Sequence, residues 1–196
     1  MPTFDGLEDL LQVSRCTPGR VAAEIAKLFA VRQTEVGLLW RDGDFLKFLF
    51  PVELQSAGSI PLSSSAVAAR TATSRQAEYF NQFPNVPHHT IFEQIKLSNS
   101  QPLSEMPDPI QKMMSAPVLG EGGDVLGVIQ VCRKGMTPGI AGRDFNEDDL
   151  DLLRRAARRI AMLMPEIEYG RGDAPSQMLR FQRTMNASKP KRANAS

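Results

Sequence analysis

The two cysteines are the residues with the most reactive side chains in this 196-residue sequence. Cys132 closes an apolar run and is followed by Arg133 and Lys134, and neighbouring cations lower the pKa of a thiol. Such a residue could serve as a nucleophile or a redox centre. Free cysteine is more commonly a small buried hydrophobic residue, and we expect this of both Cys16 and Cys132. A redox enzyme that uses Cys132 is the alternative.

The two histidines, His88 and His89, stand next to each other in a stretch with several prolines. Adjacent side chains point apart, and no cysteine, aspartate or third histidine lies near them at ligand spacing, so we predict no metal site. The stretch from Gln82 to Met106 has no clear periodicity, and long loops within compact domains are usually functional. We expect this variable loop to be functional or mobile.

Three serines, residues 63–65, precede an alanine-rich segment that the pattern predicts to be helical from Ser63 to Thr73. Free backbone N–H groups at the start of a helix attract anions. Serine is also a common N-cap residue, so capping alone would explain these serines. Both interpretations can hold together.

A hairpin and a long helix near the end of the sequence organise the rest. Ser115–Leu119 and Val125–Cys132 are apolar runs joined by a glycine-rich turn, which is typical of a β-hairpin. Asn146 and three acidic residues then open a helix that carries an apolar stripe to Met164 and stops at Pro165. Such a helix needs a sheet to cover.

The upstream residues supply the rest of that sheet. A hairpin is predicted over 36–50 around Asp42-Gly43, with two helices before it and a further strand over 77–81. The sequence therefore predicts an α+β domain with one antiparallel sheet of about five or six strands. The N- and C-terminal helices should cover one face, and the short helix and the variable loop the other.

Composition limits the function classes. Residues 171–196 carry six Lys or Arg and one Asp, whereas the whole chain has a net charge of +1, so the part before this tail is acidic. We predict a domain over 4–164 and a mostly disordered basic extension over 165–196, and nucleic acid is an unlikely partner. Two cysteines indicate a reducing compartment, and no signal peptide or membrane-length apolar run is apparent. We expect a cytoplasmic protein.

Several blocks together resemble a GAF domain, the small-molecule sensory module of phosphodiesterases, histidine kinases and phytochromes. The resemblance spans roughly Phe4 to Met164 and rests on the following blocks: Ile60-Pro-Leu62, Ser65–Arg70, Ala77–Asn81, Met114–Val118, Val125–Val131 and Phe145–Leu150. Cyclic-nucleotide-binding members carry an Asn-Lys…Phe-x-x-x-Asp-Glu signature. Lys134, Phe145 and Asp149 match it, whereas Arg133 and Leu150 replace the Asn and the Glu. The resemblance therefore implies the fold and not cyclic-nucleotide binding.

In the family the ligand lies between the sheet and the short helix, under the variable loop. The resemblance thus implies the following ligand-binding residues: Ser64, Ser65, Ala66, Phe80, Asn81, His88, His89 and Thr90. Most of the polar ones are neutral, which suits a small neutral or singly anionic ligand. The ligand and any cofactor stay unidentified.

The function implied is a non-catalytic sensory and regulatory protein that signals through a dimer or a partner chain. Leu152, Ala156 and Leu163 form a second apolar stripe on the last helix, which favours a homodimer through that helix and the N-terminal helices. Some GAF proteins reduce free methionine sulfoxide with paired cysteines, whose positions have no match here. A further alternative is an interaction scaffold whose pocket is filled by Trp40 and phenylalanines.

Overall fold

The computed structural model describes residues 4–11, 16–85, 108–164 and 167. Four α-helices and six strands make up this part of the chain. The helices are α1 (Asp5–Leu11), α2 (Pro18–Phe29), α3 (Val67–Ser74) and α4 (Glu147–Leu163). The strands are β1 (Val36–Asp42), β2 (Phe45–Phe50), β3 (Ser59–Pro61), β4 (Glu78–Phe80), β5 (Ile110–Leu119) and β6 (Val125–Lys134).

The six strands form one antiparallel sheet in the order β3-β2-β1-β6-β5-β4. The predicted α+β class and strand number are confirmed. The predicted hairpin is also present as β5 and β6, with Ala116 opposite Ile129, although β5 begins five residues earlier than the apolar pattern indicated. Of the predicted extension, only Ile167 is described, and it makes a parallel bridge with Cys16.

One face of the sheet, called the helix face below, is covered by α1, α2 and α4. Leu38 and Trp40 from β1 and Ile129 and Val131 from β6 are buried there against the three helices. Both long helices begin at capping residues, and the one at α4 is the residue that the sequence predicted. Thr17 caps α2, and the side chain of Asn146 accepts a hydrogen bond from the backbone N–H of Asp149 in a capping box at α4.

The opposite face, called the α3 face, is covered in the described part of the chain mainly by α3. Because successive strand residues point to opposite faces, Leu39 and Val128 lie here beside their helix-face neighbours. The side chains that α3 packs toward the sheet are small, namely Ala68, Ala69 and Ala72. Small side chains let the helix backbone approach the strands closely.

The second apolar stripe of α4 has a different use from the one predicted. Leu152, Ala156 and Leu163 are 6%, 0% and 0% exposed and belong to the core under the helix face. The stripe interpretation was wrong, because α4 packs against α1 and α2 as well as against the sheet. Together these contacts bury more of its surface than contact with the sheet alone would bury. The homodimer stays a prediction and loses this support.

Candidate functional site

A chain of hydrogen bonds between neutral side chains lies on the α3 face. Thr71 Oγ1 is 2.8 Å from both Val67 O and Ser115 Oγ, and Gln130 Nε2 is 3.4 Å from Ser115 Oγ. A carbonyl can only accept, so Thr71 donates to Val67, and Ser115 in turn donates to Thr71. Gln130 donates to Ser115. All three side chains are buried, so α3 is joined to β5 and β6 by polar groups as well as by alanines.

An ion pair marks the rim beside this chain. The guanidinium of Arg70 donates two hydrogen bonds to Glu78, at 3.1 and 3.0 Å, and lies 5.3 Å from the centroid of the Phe80 ring. Glu78 Oε1 is also 3.5 Å from Thr71 Oγ1. The pair is partly exposed, so it contributes little to the free energy of unfolding. Its main role is to link α3 to the edge strand β4.

Sequence reasoning missed these five polar residues. A signal was present for two of them, because Ser115 and Gln130 are polar residues inside otherwise apolar strands. Thr71 could not be distinguished from a solvent-facing residue of a short helix.

The serine segment does not begin the helix as predicted. Helix α3 starts at Val67 with Ala66 at its N-cap, and no side chain caps it. Ser64 instead takes part in the preceding turn: its N–H bonds Pro61 O and its hydroxyl accepts from Ala66 N. The N-capping interpretation was therefore wrong. Ser65 is exposed, and Ala66 is buried against the sheet.

The structure separates the two predicted site residues at the end of β4, Phe80 and Asn81. Phe80 packs on the α3 face with Val67 and Met113. The Asn81 amide points the other way and makes two hydrogen bonds, both of 2.9 Å, with the backbone N–H and C=O of Phe145. Asn81 thus has a structural role on the helix face. The predicted His88, His89 and Thr90 lie outside the described residues.

Three of the signature-like positions, Arg133, Phe145 and Asp149, lie together where α4 begins. Phe145 is 2% exposed and carries the Arg133 guanidinium 4.9 Å above its ring. Asp149 is held by Arg143 through two hydrogen bonds of 2.6 Å. Lys134 makes no contact with Asp149 and donates instead to Thr34 O.

The electrostatics of this cluster are those of a structural site. Burial alone would raise the pKa of Asp149, but hydrogen bonds from the Arg143 side chain and the Asn146 backbone outweigh it, so the pKa is lowered. Glu35 behaves alike: burial opposes ionisation, whereas Arg32 and the backbone N–H of Lys134 lower the pKa. Both carboxylates are therefore firmly ionised at neutral pH and hold loops to helix or strand ends.

The cysteines lie apart from each other. Cys16 is buried in the core under the helix face, and Cys132 is buried on the α3 face. Burial raises the pKa of the Cys132 thiol to about 12 and also raises the pKa of Cys16. The cations beside Cys132 do not compensate, because the thiol is fully desolvated. Neither sulfur is a thiolate at neutral pH, and the two cannot pair across the sheet.

Two of the four arginines of α4 have acidic partners among the described residues. Arg154 bonds Glu147 and Asp151, and Arg159 bonds Glu8. Arg154 also lines an open groove beside α4, together with Arg155, Arg158 and several aspartates. Within the described residues, no group of three or more His, Cys, Asp or Glu is placed to hold a metal ion. No helix in the same part of the chain is long and apolar enough to cross a membrane.

Comparison with known families decides the classification. A sequence profile described as the GAF domain matches residues 5–164, which is most of the chain and all six strands. The chain belongs to the GAF domain family. Membership supports a sensory or regulatory small-molecule-binding module, as the resemblance implied. No curated protein sequence matches this GAF domain.

Solved structures agree on the fold. The GAF domain of the Acinetobacter phosphoenolpyruvate-protein phosphotransferase is similar with a TM-score of 0.58 at 12% identity, over 93% of this chain and 96% of that one. The corresponding domain from Coxiella burnetii gives 0.53 at 10%, over 82% and 94%. A type II free methionine-R-sulfoxide reductase from Thermoplasma acidophilum gives 0.52 at 16%, over 81% and 97%. At such identities the likeness shows the shared fold.

Proposed function

We propose that this GAF domain is a non-catalytic sensor that binds a small neutral or singly anionic molecule on its α3 face. The observation that carries the proposal is the difference between the two faces of the sheet. Three helices close the helix face with apolar residues, whereas the α-helix that covers the α3 face in the described part of the chain has only eight residues. It is joined to the sheet by Thr71, Ser115 and Gln130. Small-molecule sites are lined mostly by apolar and aromatic side chains with a few polar groups among them, and the α3 face combines both kinds.

The Arg70–Glu78 pair supports the ligand class. The two opposite charges neutralise each other, so this pair adds no net positive charge to the rim that would favour a triphosphate. Phe80 supplies a ring next to the pair, on which a planar ligand can stack. A compact ligand with few charges fits these groups better than a polyanion.

The state of the cysteines supports a role without catalysis. A thiol is a poor nucleophile while protonated, and the pKa of Cys132 is raised to about 12. The reductase named above shares the fold with this chain, but Cys16 and Cys132 are buried on opposite faces of the sheet. The scaffold alternative assumed that Trp40 fills the pocket, whereas Trp40 packs on the helix face.

Native mass spectrometry of freshly purified protein tests the proposal, because a retained metabolite adds its mass to the chain. Isothermal titration with the compound so identified then compares Ser65→Arg with Ser74→Arg, two exposed positions at the two ends of α3. We expect Ser65→Arg to weaken binding and Ser74→Arg to leave it unchanged. Equal binding by both variants would place the ligand away from the start of α3.

The output is part of the same proposal. We infer that the domain acts in the cytoplasm and signals through a second copy of itself or a partner chain that contacts the terminal helices. Sedimentation at high micromolar concentration tests the homodimer. A monomer under those conditions would leave a partner protein as the route of signalling.

A further inference from the structure

The edge strand β4 joins the two faces of the sheet through two consecutive residues. Phe80 packs on the α3 face beside Val67 and Met113, under the Arg70 guanidinium. The next residue, Asn81, turns its amide to the helix face. Successive residues of an extended chain point to opposite sides, so a shift of Phe80 also moves Asn81.

The amide of Asn81 holds a residue 64 positions away. Its Nδ2 donates to Phe145 O and its Oδ1 accepts from Phe145 N, both at 2.9 Å. Two bonds to one residue reproduce the pattern of a hydrogen-bonded pair in an antiparallel ladder. The edge of the sheet is in this way tied to the segment that opens α4.

Phe145 is in turn fixed between two helices. Its ring is buried and lies under the guanidinium of Arg133, whose Nη2 donates to Phe29 O at 3.1 Å. Phe29 is the last residue of α2. A displacement of Phe145 therefore reaches the end of α2 through Arg133.

The start of α4 follows directly in the chain. Asn146 Oδ1 accepts from Asp149 N at 3.0 Å, and Asp149 Oδ2 accepts from Asn146 N at 3.1 Å. Arg143 fixes the same carboxylate from the preceding loop. Movement of Phe145 disturbs this capping box, because the cap residue is its immediate neighbour.

We propose that Asn81 is a positioning residue that couples the α3 face to the start of α4. A change in packing at Phe80 passes through the Asn81 amide to Phe145 and from there to the capping box. The inference rests on the proposed function only in treating the α3 face as the ligand side. It assigns the domain a defined route from that face to the start of α4.

Amide hydrogen exchange, followed by NMR, tests the route without a ligand. The reporters are the amides of Phe145, Asp149 and Leu150, which bond Asn81, Asn146 Oδ1 and Asn146 O. We expect Phe80→Leu to speed exchange at these amides about fivefold, the effect of weakening one hydrogen bond. In an Asn81→Asp background, which lacks the Nδ2 donor, Phe80→Leu should change the same rates less than twofold, roughly within the error of additivity.

A matched control separates coupling from loss of global stability. Phe48→Leu truncates a buried aromatic residue on the same face, in β2 and remote from Asn81 in the strand order. It should leave the three reporters unchanged once rates are corrected for global unfolding. The proposal is overturned if Phe48→Leu acts as Phe80→Leu does, or if Phe80→Leu has the same effect with and without the amide.

Asn81→Ser is a second background, which removes both bonds without adding a charge. Either background that folds gives the comparison, and the same outcome is expected in both. If neither background folds, the wild-type background decides. The route is excluded there if Phe80→Leu leaves the exchange rates of the three reporter amides unchanged. Because no ligand is used, failure here leaves the binding proposal standing, and failure to find a ligand leaves this result standing.

Discussion

The two faces of the sheet are closed in different ways, although neighbouring residues of the same strands supply both. On the helix face, α2 and α4 place apolar side chains over the strands, and α1 packs against these two helices. On the α3 face, the described cover is mainly an eight-residue helix that presents alanines and buries Thr71 against Ser115. The first face has the features of a stability core, whereas the second combines a small apolar cluster with directional polar contacts.

The difference indicates that the helix face mainly provides stability, whereas the α3 face is the one suited to a functional response. A hydrogen bond between neutral groups adds little net stability, so the polar chain on the α3 face fixes geometry more than it strengthens the fold. Elements held by few apolar contacts open more readily than the core. A sensor needs one side that can respond and one that stays folded, and the two faces supply them.

Adjacent leucines on β1 give the largest expected effect. Leu38 points to the helix face and Leu39 to the α3 face, and both are buried. Replacement by alanine typically costs about 2–5 kcal/mol, and the cost is larger where the surroundings cannot collapse. We expect Leu38→Ala to lie in the upper half of that range and Leu39→Ala in the lower half, because α3 can settle inward. Urea unfolding measures both, and a larger cost for Leu39→Ala would break the comparison.

Acid should lower the free energy of unfolding by protonating Asp149, which lies at the start of α4. Its pKa is lowered in the folded protein, so its stabilising contribution is present at neutral pH and is lost as the pH falls below the usual aspartate range, about 4. We expect Asp149→Asn to cost about 2 kcal/mol at pH 7, the typical value of hydrogen bonds to a charged group.

The free energies of unfolding of wild type and Asp149→Asn should converge in acid. Asp148→Asn is the matched control, because the exposed Asp148 makes no ion pair with any residue that the structure describes. A gap between wild type and Asp149→Asn that stays constant from pH 7 to the acid limit would show that the carboxylate charge contributes nothing.

The N-cap of α4 should give a smaller effect. Asn146→Ala removes the side-chain acceptor for Asp149 N and should cost about 1 kcal/mol. Ser74→Ala, at the last residue of α3, is the comparison on the other face and should lie within about 0.5 kcal/mol of wild type. Thermal unfolding measures both changes, and equal costs would contradict the assignment of stability to the helix face.

The smallest expected difference between the two faces is in how readily each opens locally, which the labelling rates of the two thiols measure. Single-cysteine proteins made by Cys16→Ser or Cys132→Ser can be labelled with iodoacetamide at pH 8. We expect Cys132 to react faster than Cys16, because the short helix over the α3 face opens without global unfolding. If both thiols are labelled at the same rate, and this is the rate expected when labelling requires global unfolding, the two faces open together.

Much of the fold was predictable from local pattern. The apolar run from Val125 to Cys132 predicts a strand, the glycine-rich turn predicts a hairpin, and the cap at Asn146 predicts the start of a helix. Each of these signals lies within a few residues of the sequence. The Leu152 stripe was misassigned, since the pattern shows that a side chain is apolar but not which neighbour covers it. That neighbour is set by how α1 and α2 pack, at long range along the sequence.

The candidate site was less predictable for the same reason. Phe80 was placed on the correct face, but Asn81 was grouped with it although strand alternation separates the two. Arg70, Glu78 and Thr71 could not be found, because their partners are fixed only when α3 docks on β4 and β5. Their sequence neighbours carry no sign of that contact.

The central claim is that a small molecule binds on the α3 face, and adjacent methionines on β5 test it most directly. Met113 lies on the α3 face and Met114 on the helix face, both buried. Their ¹³C-labelled methyl signals, assigned with Met113→Leu and Met114→Leu, can be followed during titration with a mixture of free amino acids, nucleosides and monocarboxylates. We predict a saturable shift of the Met113 methyl signal while that of Met114 stays in place. A mixture that moves neither signal, or moves Met114 alone, would contradict the account.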